Sequence, residues 1–259
     1  MKITSFYAGE GLVTCYLHES HPRIVTHISR PALIICPGGG YNFVCPRESD
    51  PPALQFFADG FQVFVLTYST GKEAAALKPL RELAEAVQII REKSVEWHID
   101  PEKIAAMGFS AGGHLAASLG ALWNRKDVKL PGNCRPDALV LCYPVITMGE
   151  LTHPLTAQNV SGGNTALNEL LSIENQITNT MPPTFLWHTV EDGSVPVENA
   201  LMLACALRRT GVPFECHLFQ SGQHGLSICT REVETPSKEC HEWIHLAKNW
   251  LYKIFLYEP

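Results

Sequence analysis

The sequence predicts an α/β protein: a mostly parallel central sheet with helices on both faces and a small cap insertion. Three observations predict it. Short, solidly apolar runs recur along the chain, without the alternation of a strand that has one wet face. Helical spacing follows most of these runs, the order expected of strand–helix units. One polar stretch, residues 146–180, breaks that order and reads as an insertion.

The elements follow in order. Residues 32–36 (ALIIC) form a buried strand, ended by Pro37-Gly38-Gly39-Gly40. Residues 50–58 read as a helix, with Pro51 and Pro52 tolerable only in its first turn. Residues 62–68 (QVFVLTY) are β-branched and aromatic, hence a strand. Residues 79–97 form the clearest helix, with Leu80, Leu83, Val87 and Ile90 on one face. A short strand at 103–107 leads through Gly108-Phe109-Ser110-Ala111-Gly112-Gly113 into a small-residue helix at 114–122. Strands at 137–143 and 184–189 flank the insertion, in which one short helix is expected around 164–171. A helix at 197–209 carries Arg208 and Arg209 in its last turn and stops at Gly211. A strand at 214–219 and a final helix at 239–256 complete a single domain over residues 1–259.

Composition removes several function classes. The 259 residues hold 20 Lys+Arg against 26 Asp+Glu, a net charge of −6, with no basic run to bind a nucleic-acid backbone. No stretch reaches the ~18 apolar residues of a membrane span. The N-terminus lacks the apolar core of a signal peptide, so a cytoplasmic location is expected. Nine cysteines are scattered from Cys15 to Cys240, and Cys36, Cys142 and Cys205 lie in apolar runs. Reduced thiols packing as small hydrophobes fit that pattern. The sequon at Asn159-Val160-Ser161 carries no meaning without secretion.

Ligands of such sheets sit at the carboxyl ends of the strands. That rule points to the loops after Cys36, Met107, Thr189 and Phe219. The strongest motif there is Gly108-x-Ser110-x-Gly112, between a strand and a helix, the setting of a strained nucleophile elbow. A serine nucleophile needs a base, and the base an orienting acid. His224, in Ser221-Gly222-Gln223-His224-Gly225, follows a strand and is the candidate base. Asp192 also follows a strand and is the candidate acid, with Glu191 its competitor; Asp137 stands at the wrong strand end. Ser110…Asp192…His224 is the chain order of α/β-hydrolases. Oxyanion-hole N–H groups are expected from Ala111, Gly39 and Gly40. A phosphate loop is excluded, since no Gly-Lys-Ser/Thr follows the glycines.

Other residues carry weaker signals. His241-Glu242-Trp243-Ile244-His245 has the spacing of a zinc-protease helix. However, both histidines lie about 200° round the helix from Trp243, on the solvent side of the expected core stripe. A zinc site on this helix is therefore not expected. His114, behind the elbow, points away from the nucleophile and reads as a packing or hydrogen-bonding residue. Tyr41, Tyr68 and Trp187 are candidates to line a substrate pocket, and Arg47-Glu48 reads as an ion pair, a helix start or pocket wall.

Pro37-Gly38-Gly39-Gly40-Tyr41, Gly108–Leu115, Cys142-Tyr143-Pro144-Val145, Pro182–Thr189 and Asp192-x-x-Val195-Pro196 together resemble α/β-hydrolase carbohydrate esterases. These are the acetyl-xylan-esterase-like and feruloyl-esterase-like enzymes. The resemblance runs from about residue 30 to the end. It implies an α/β-hydrolase fold, a Ser110–Asp192–His224 triad, and neither metal nor cofactor. The implied substrate is a small-molecule ester, an acetylated mono- or oligosaccharide rather than polymeric xylan if the enzyme is cytosolic. Neither nucleic acid nor membrane is an expected partner, and a homodimer is left open. Two other readings remain: an amidase or peptidase of the same fold, and a binding protein without catalysis.

Overall fold

The computed structural model describes residues 1–19 and 29–259. The chain opens with a hairpin, β1 (Lys2–Ala8) and β2 (Gly11–Leu17). Then come β3 (Arg30–Cys36), α1 (Asp50–Phe57), β4 (Gln62–Thr67), α2 (Lys78–Glu92), β5 (Ile99–Phe109), α3 (Ala111–Leu122) and β6 (Ala138–Cys142). The remainder is α4 (Pro154–Ser161), α5 (Thr165–Leu171), β7 (Thr184–Thr189), α6 (Glu198–Thr210), β8 (Phe214–Phe219) and α7 (Lys238–Phe255). Among the described residues the strands form one eight-stranded sheet in the order β1-β2-β4-β3-β5-β6-β7-β8. The hairpin and the β2–β4 pairing are antiparallel; every pairing from β4 through β8 is parallel.

Period-two alternation divides the central strands between two cores. On β3, Ile34 and Cys36 belong to the core that α2, α3 and α6 cover, whereas Leu33 and Ile35 belong to the core that α1 and α7 cover. Both faces are covered, which is why the strands read as solid apolar runs. The parallel arrangement sends the carboxyl ends of β3, β5, β7 and β8 to the same edge, and the catalytic candidates follow those ends.

Several boundaries differ from the sequence reading. The antiparallel hairpin was not foreseen. Helix α2 ends at Glu92 rather than Trp97, because Trp97 leaves the helical path to pack against Phe6 and Phe64, with ring centroids 5.6 and 5.4 Å away. The insertion holds two helices, α4 and α5, where one was expected. Helix α4 opens on Pro154, a first-turn residue, and closes on the left-handed Gly162, so its stop and start signals are present in the sequence.

Candidate active site

Ser110 stands between β5 and α3 with φ 54° and ψ −118°, a conformation rare for a residue with a side chain. Its own N–H donates to the Cys142 carbonyl (3.0 Å) and its carbonyl accepts from Val145 (3.1 Å), so β6 fixes the turn. The turn brings α3 hard against the strands. A Cβ on Gly112 would lie 2.0 Å from the Cys36 carbonyl oxygen, so only glycine fits there.

His224 comes over the sheet edge on the loop after β8. Its Nε2 lies 2.7 Å from Ser110 Oγ and its Nδ1 lies 2.6 Å from Asp192 Oδ2. Asp192 accepts at Nδ1, so the proton sits there, and Nε2 is left to accept from the serine hydroxyl. The structure thus brings together the three residues singled out from the sequence. Glu191, the competing acid, is exposed and lies 3.4 Å from the Ser221 hydroxyl. Asp137, at the opposite strand end, pairs with Arg91 at 2.8 Å.

Asp192 is held from four sides. Its Oδ1 accepts the N–H groups of Ser194 and Val195, each at 2.9 Å. Its Oδ2 takes His224 and also lies 3.2 Å from His188 Nε2. Burial alone would push this carboxyl up. Hydrogen bonds from His188 and His224, the charge of His224 and the Val195 N–H outweigh it and hold the group well below the usual carboxylate range. His188 is wholly buried, and its Nε2 also donates to the Val195 carbonyl at 2.9 Å. The sequence signal for this second histidine was its place inside the apolar run of β7.

A cavity of about 260 Å³ opens on Ser110 and His224. Gly39 and Gly40 form part of its wall, and Ala111 follows the serine at the first position of α3. Gly39 has φ 121°, and a Cβ there would meet the Phe43 carbonyl oxygen at 2.2 Å, so the loop requires glycine. The Gly38 N–H is engaged with Glu48 Oε2 at 2.7 Å. Arg47 and Glu48 also line the cavity, and both belong to the short 3₁₀ turn Pro46–Glu48. His153 and Leu155, at the start of α4, line it as well, beside Gly40.

Tyr41 and Tyr68, expected at the substrate, are corrected by their burial. They are 1% and 3% exposed and lie beneath the glycine loop instead of in the cavity. The Tyr41 hydroxyl bonds His114 Nδ1 (2.9 Å), and the Tyr68 hydroxyl donates to the Pro37 carbonyl (2.6 Å). Trp187 likewise packs inward, stacked on Trp243 at 5.3 Å. His114 is buried behind the elbow, as its spacing implied. Its Nε2 donates to the Leu171 carbonyl at 2.9 Å, so it joins the insertion to the glycine loop through Tyr41. Asn159 adds a direct tie, donating to the Gly40 carbonyl at 2.9 Å. On α7, His241 and His245 are both exposed, and they bond to the Ile228 carbonyl and Asn249 respectively.

Comparison with known proteins bears on the family and the fold. Residues 25–207 match the family model described as BD-FAE. The chain is 36% identical over 230 residues to Endo-1,4-beta-xylanase B of Butyrivibrio fibrisolvens, covering 84% of this chain and 35% of that protein. It is 27% identical over 230 residues to the acetylxylan esterase of Xylanibacter ruminicola, covering 86% of this chain and 45% of that one. It therefore spans less than half the length of these curated relatives. The acetyl ester-xyloside bifunctional hydrolase from Caldicellulosiruptor lactoaceticus superposes with a TM-score of 0.84 at 36% identity, over 96% of this chain and 89% of that one. Fold and family model agree: the chain has an α/β-hydrolase fold and belongs to the BD-FAE family.

Proposed function

We propose that the protein is a serine carboxylesterase that removes short acyl groups, above all acetyl, from sugars or xylo-oligosaccharides. The observation that carries this is the hydrogen-bonded series Ser110–His224–Asp192 opening on a cavity of about 260 Å³. That volume is below the roughly 300–1,000 Å³ of pockets for drug-sized ligands, which supports a short acyl group. The relatives named acetylxylan esterase and acetyl ester-xyloside hydrolase support acetyl and a sugar alcohol.

In the mechanism, His224 Nε2 takes the Ser110 hydroxyl proton as Oγ attacks the ester carbonyl carbon. Asp192 fixes the tautomer and stabilises the imidazolium. The N–H groups of Ala111, Gly39 and Gly40 bind the oxyanion. His224 then gives its proton to the departing alcohol, leaving an acyl-enzyme on Ser110. Water, deprotonated by His224, attacks that acyl group and returns the serine. Neither metal nor cofactor enters any step. The nine unpaired cysteines support a reducing, cytoplasmic setting.

The test is hydrolysis of p-nitrophenyl esters from acetate to octanoate, by wild type and Ser110→Ala. Turnover should fall steeply beyond propionate and drop by at least about 10³-fold in the variant. Acetylated xylo-oligosaccharides come next. A series with no serine-dependent turnover would sink the proposal.

A further inference from the structure

We propose that Glu48 is a positioning residue of this site: its ionised carboxylate ties the glycine loop to the loop carrying His224, and its charge favours the imidazolium form of His224. The inference rests on the Ser110 mechanism above.

Glu48 closes a short 3₁₀ turn at Pro46–Glu48 and is 3% exposed. A carboxylate buried to this degree is costly unless its oxygens are hydrogen-bonded. Both are. Oε2 accepts the Gly38 N–H at 2.7 Å, and Oε1 accepts the Tyr143 hydroxyl at 2.7 Å. The Tyr143 oxygen itself accepts the Ser227 N–H at 2.8 Å, and Glu48 is the acceptor within reach of its own buried proton. That proton therefore points at Glu48. Both carboxylate oxygens face donors, which suits the ionised form and gives a carboxyl proton no acceptor.

Gly38 begins the loop that offers Gly39 and Gly40 to the oxyanion. Ser227 lies three residues beyond His224. The series Gly38–Glu48–Tyr143–Ser227, in which Glu48 lines the cavity, thus joins the two loops whose separation sets the reaction geometry. A second strap lies beside it: the Ser227 hydroxyl donates to the Arg47 carbonyl, and Arg47 Nη1 donates to the Val233 carbonyl at 3.2 Å. The Tyr143 ring also meets the His224 imidazole edge to face, with centroids 5.1 Å apart.

The charges around Glu48 are few. Arg47 and Cys45 face it from its own segment, Tyr68 from beyond β4, Cys142 and Tyr143 from the end of β6, and His224 from the loop after β8. His224 is faced in addition by Asp192 and, from the insertion, by His153. Burial raises the Glu48 carboxyl. The bonds from Tyr143 and Gly38 and the attraction of His224 and Arg47 act against that rise. The attraction is mutual: a carboxylate that is favoured by a charged His224 favours that charge in return.

The experiment compares wild type, Ser110→Ala, Glu48→Gln, Glu48→Asp and Tyr143→Phe on p-nitrophenyl acetate across pH, with sites counted by paraoxon titration. Glu48→Gln should lower kcat per titrated site at least about tenfold while KM stays within about threefold. It should also move the acid limb of kcat/KM to lower pH, since that limb reports the free enzyme's base and Gln carries no charge to attract a proton there. Glu48→Asp should return the acid limb toward the wild-type position. Tyr143→Phe keeps the charge and cuts the strap, so kcat falls and the limb moves less; this variant stands in if Glu48→Gln does not fold. An unchanged kcat in Glu48→Gln, or a lower kcat with an unmoved acid limb, overturns the inference. Turnover that is lost in Ser110→Ala but kept in Glu48→Gln overturns this inference alone; turnover that survives Ser110→Ala overturns the mechanism as well.

Discussion

Protonation of His114 should weaken the protein in a pH window that can be worked out beforehand. The imidazole is fully buried, donates from Nε2 to Leu171 and accepts from Tyr41 at Nδ1. It therefore uses both nitrogens as a neutral ring, and a second ring proton would face a donor. Burial pushes its pKa down from 6.5 to about 4, against the pull of the Leu171 carbonyl. Between those values the unfolded chain binds a proton that the folded chain refuses. Stability from this group is thus complete above about pH 6.5 and is lost as pH falls toward 4. The two pKa values give a loss of roughly 2–3 kcal/mol by about pH 4.5. Other groups act in the opposite sense in that range, since burial raises the carboxyls of Glu48, Glu82 and Glu174. The difference between wild type and His114→Gln removes them. Urea unfolding in reductant, followed by tryptophan fluorescence from about pH 7.5 to 4.5, gives that difference. The advantage of wild type should shrink by the stated amount across the series. A gap that stays constant with pH would refute the reasoning, whatever its size.

Three further outcomes follow from the site. His188→Ala removes a buried donor from Asp192 and leaves a void, so it should cost about 2–4 kcal/mol in urea unfolding and lower kcat more than it raises KM. Gly112→Ala places a methyl against the Cys36 carbonyl, and expression with circular dichroism should show a chain that fails to fold or loses more than about 4 kcal/mol. Dialysis against EDTA should leave esterase turnover within error of the untreated enzyme, because His241 and His245 are exposed and bonded elsewhere; a loss restored by zinc would contradict that placement.

The placement of Ser110 and Asp192 was readable because each follows a buried apolar strand, and that of His224 because it follows the edge strand β8 in a glycine-flanked loop; parallel strands deliver their carboxyl ends to one edge. The glycines were readable for a related reason, since close backbone approach leaves a direct compositional mark. Residues that depend on distant partners were not. Glu48 bonds Gly38 ten positions away but Tyr143 ninety-five positions away, and no local pattern joins the latter pair. Tyr41 and Tyr68 misled because tyrosine suits a pocket wall and a hydrogen-bonded core equally well. The β1–β2 hairpin escaped because β1 is largely exposed and its pattern is weakly apolar.

The backbone of Ser110 has a last consequence. A side-chain-bearing residue held at φ 54° and ψ −118° is disfavoured by about 1–3 kcal/mol, and glycine would be relieved of most of that. Selection for stability alone would therefore drive position 110 to glycine. A lineage with no use for a hydroxyl at this turn would gain stability by the exchange.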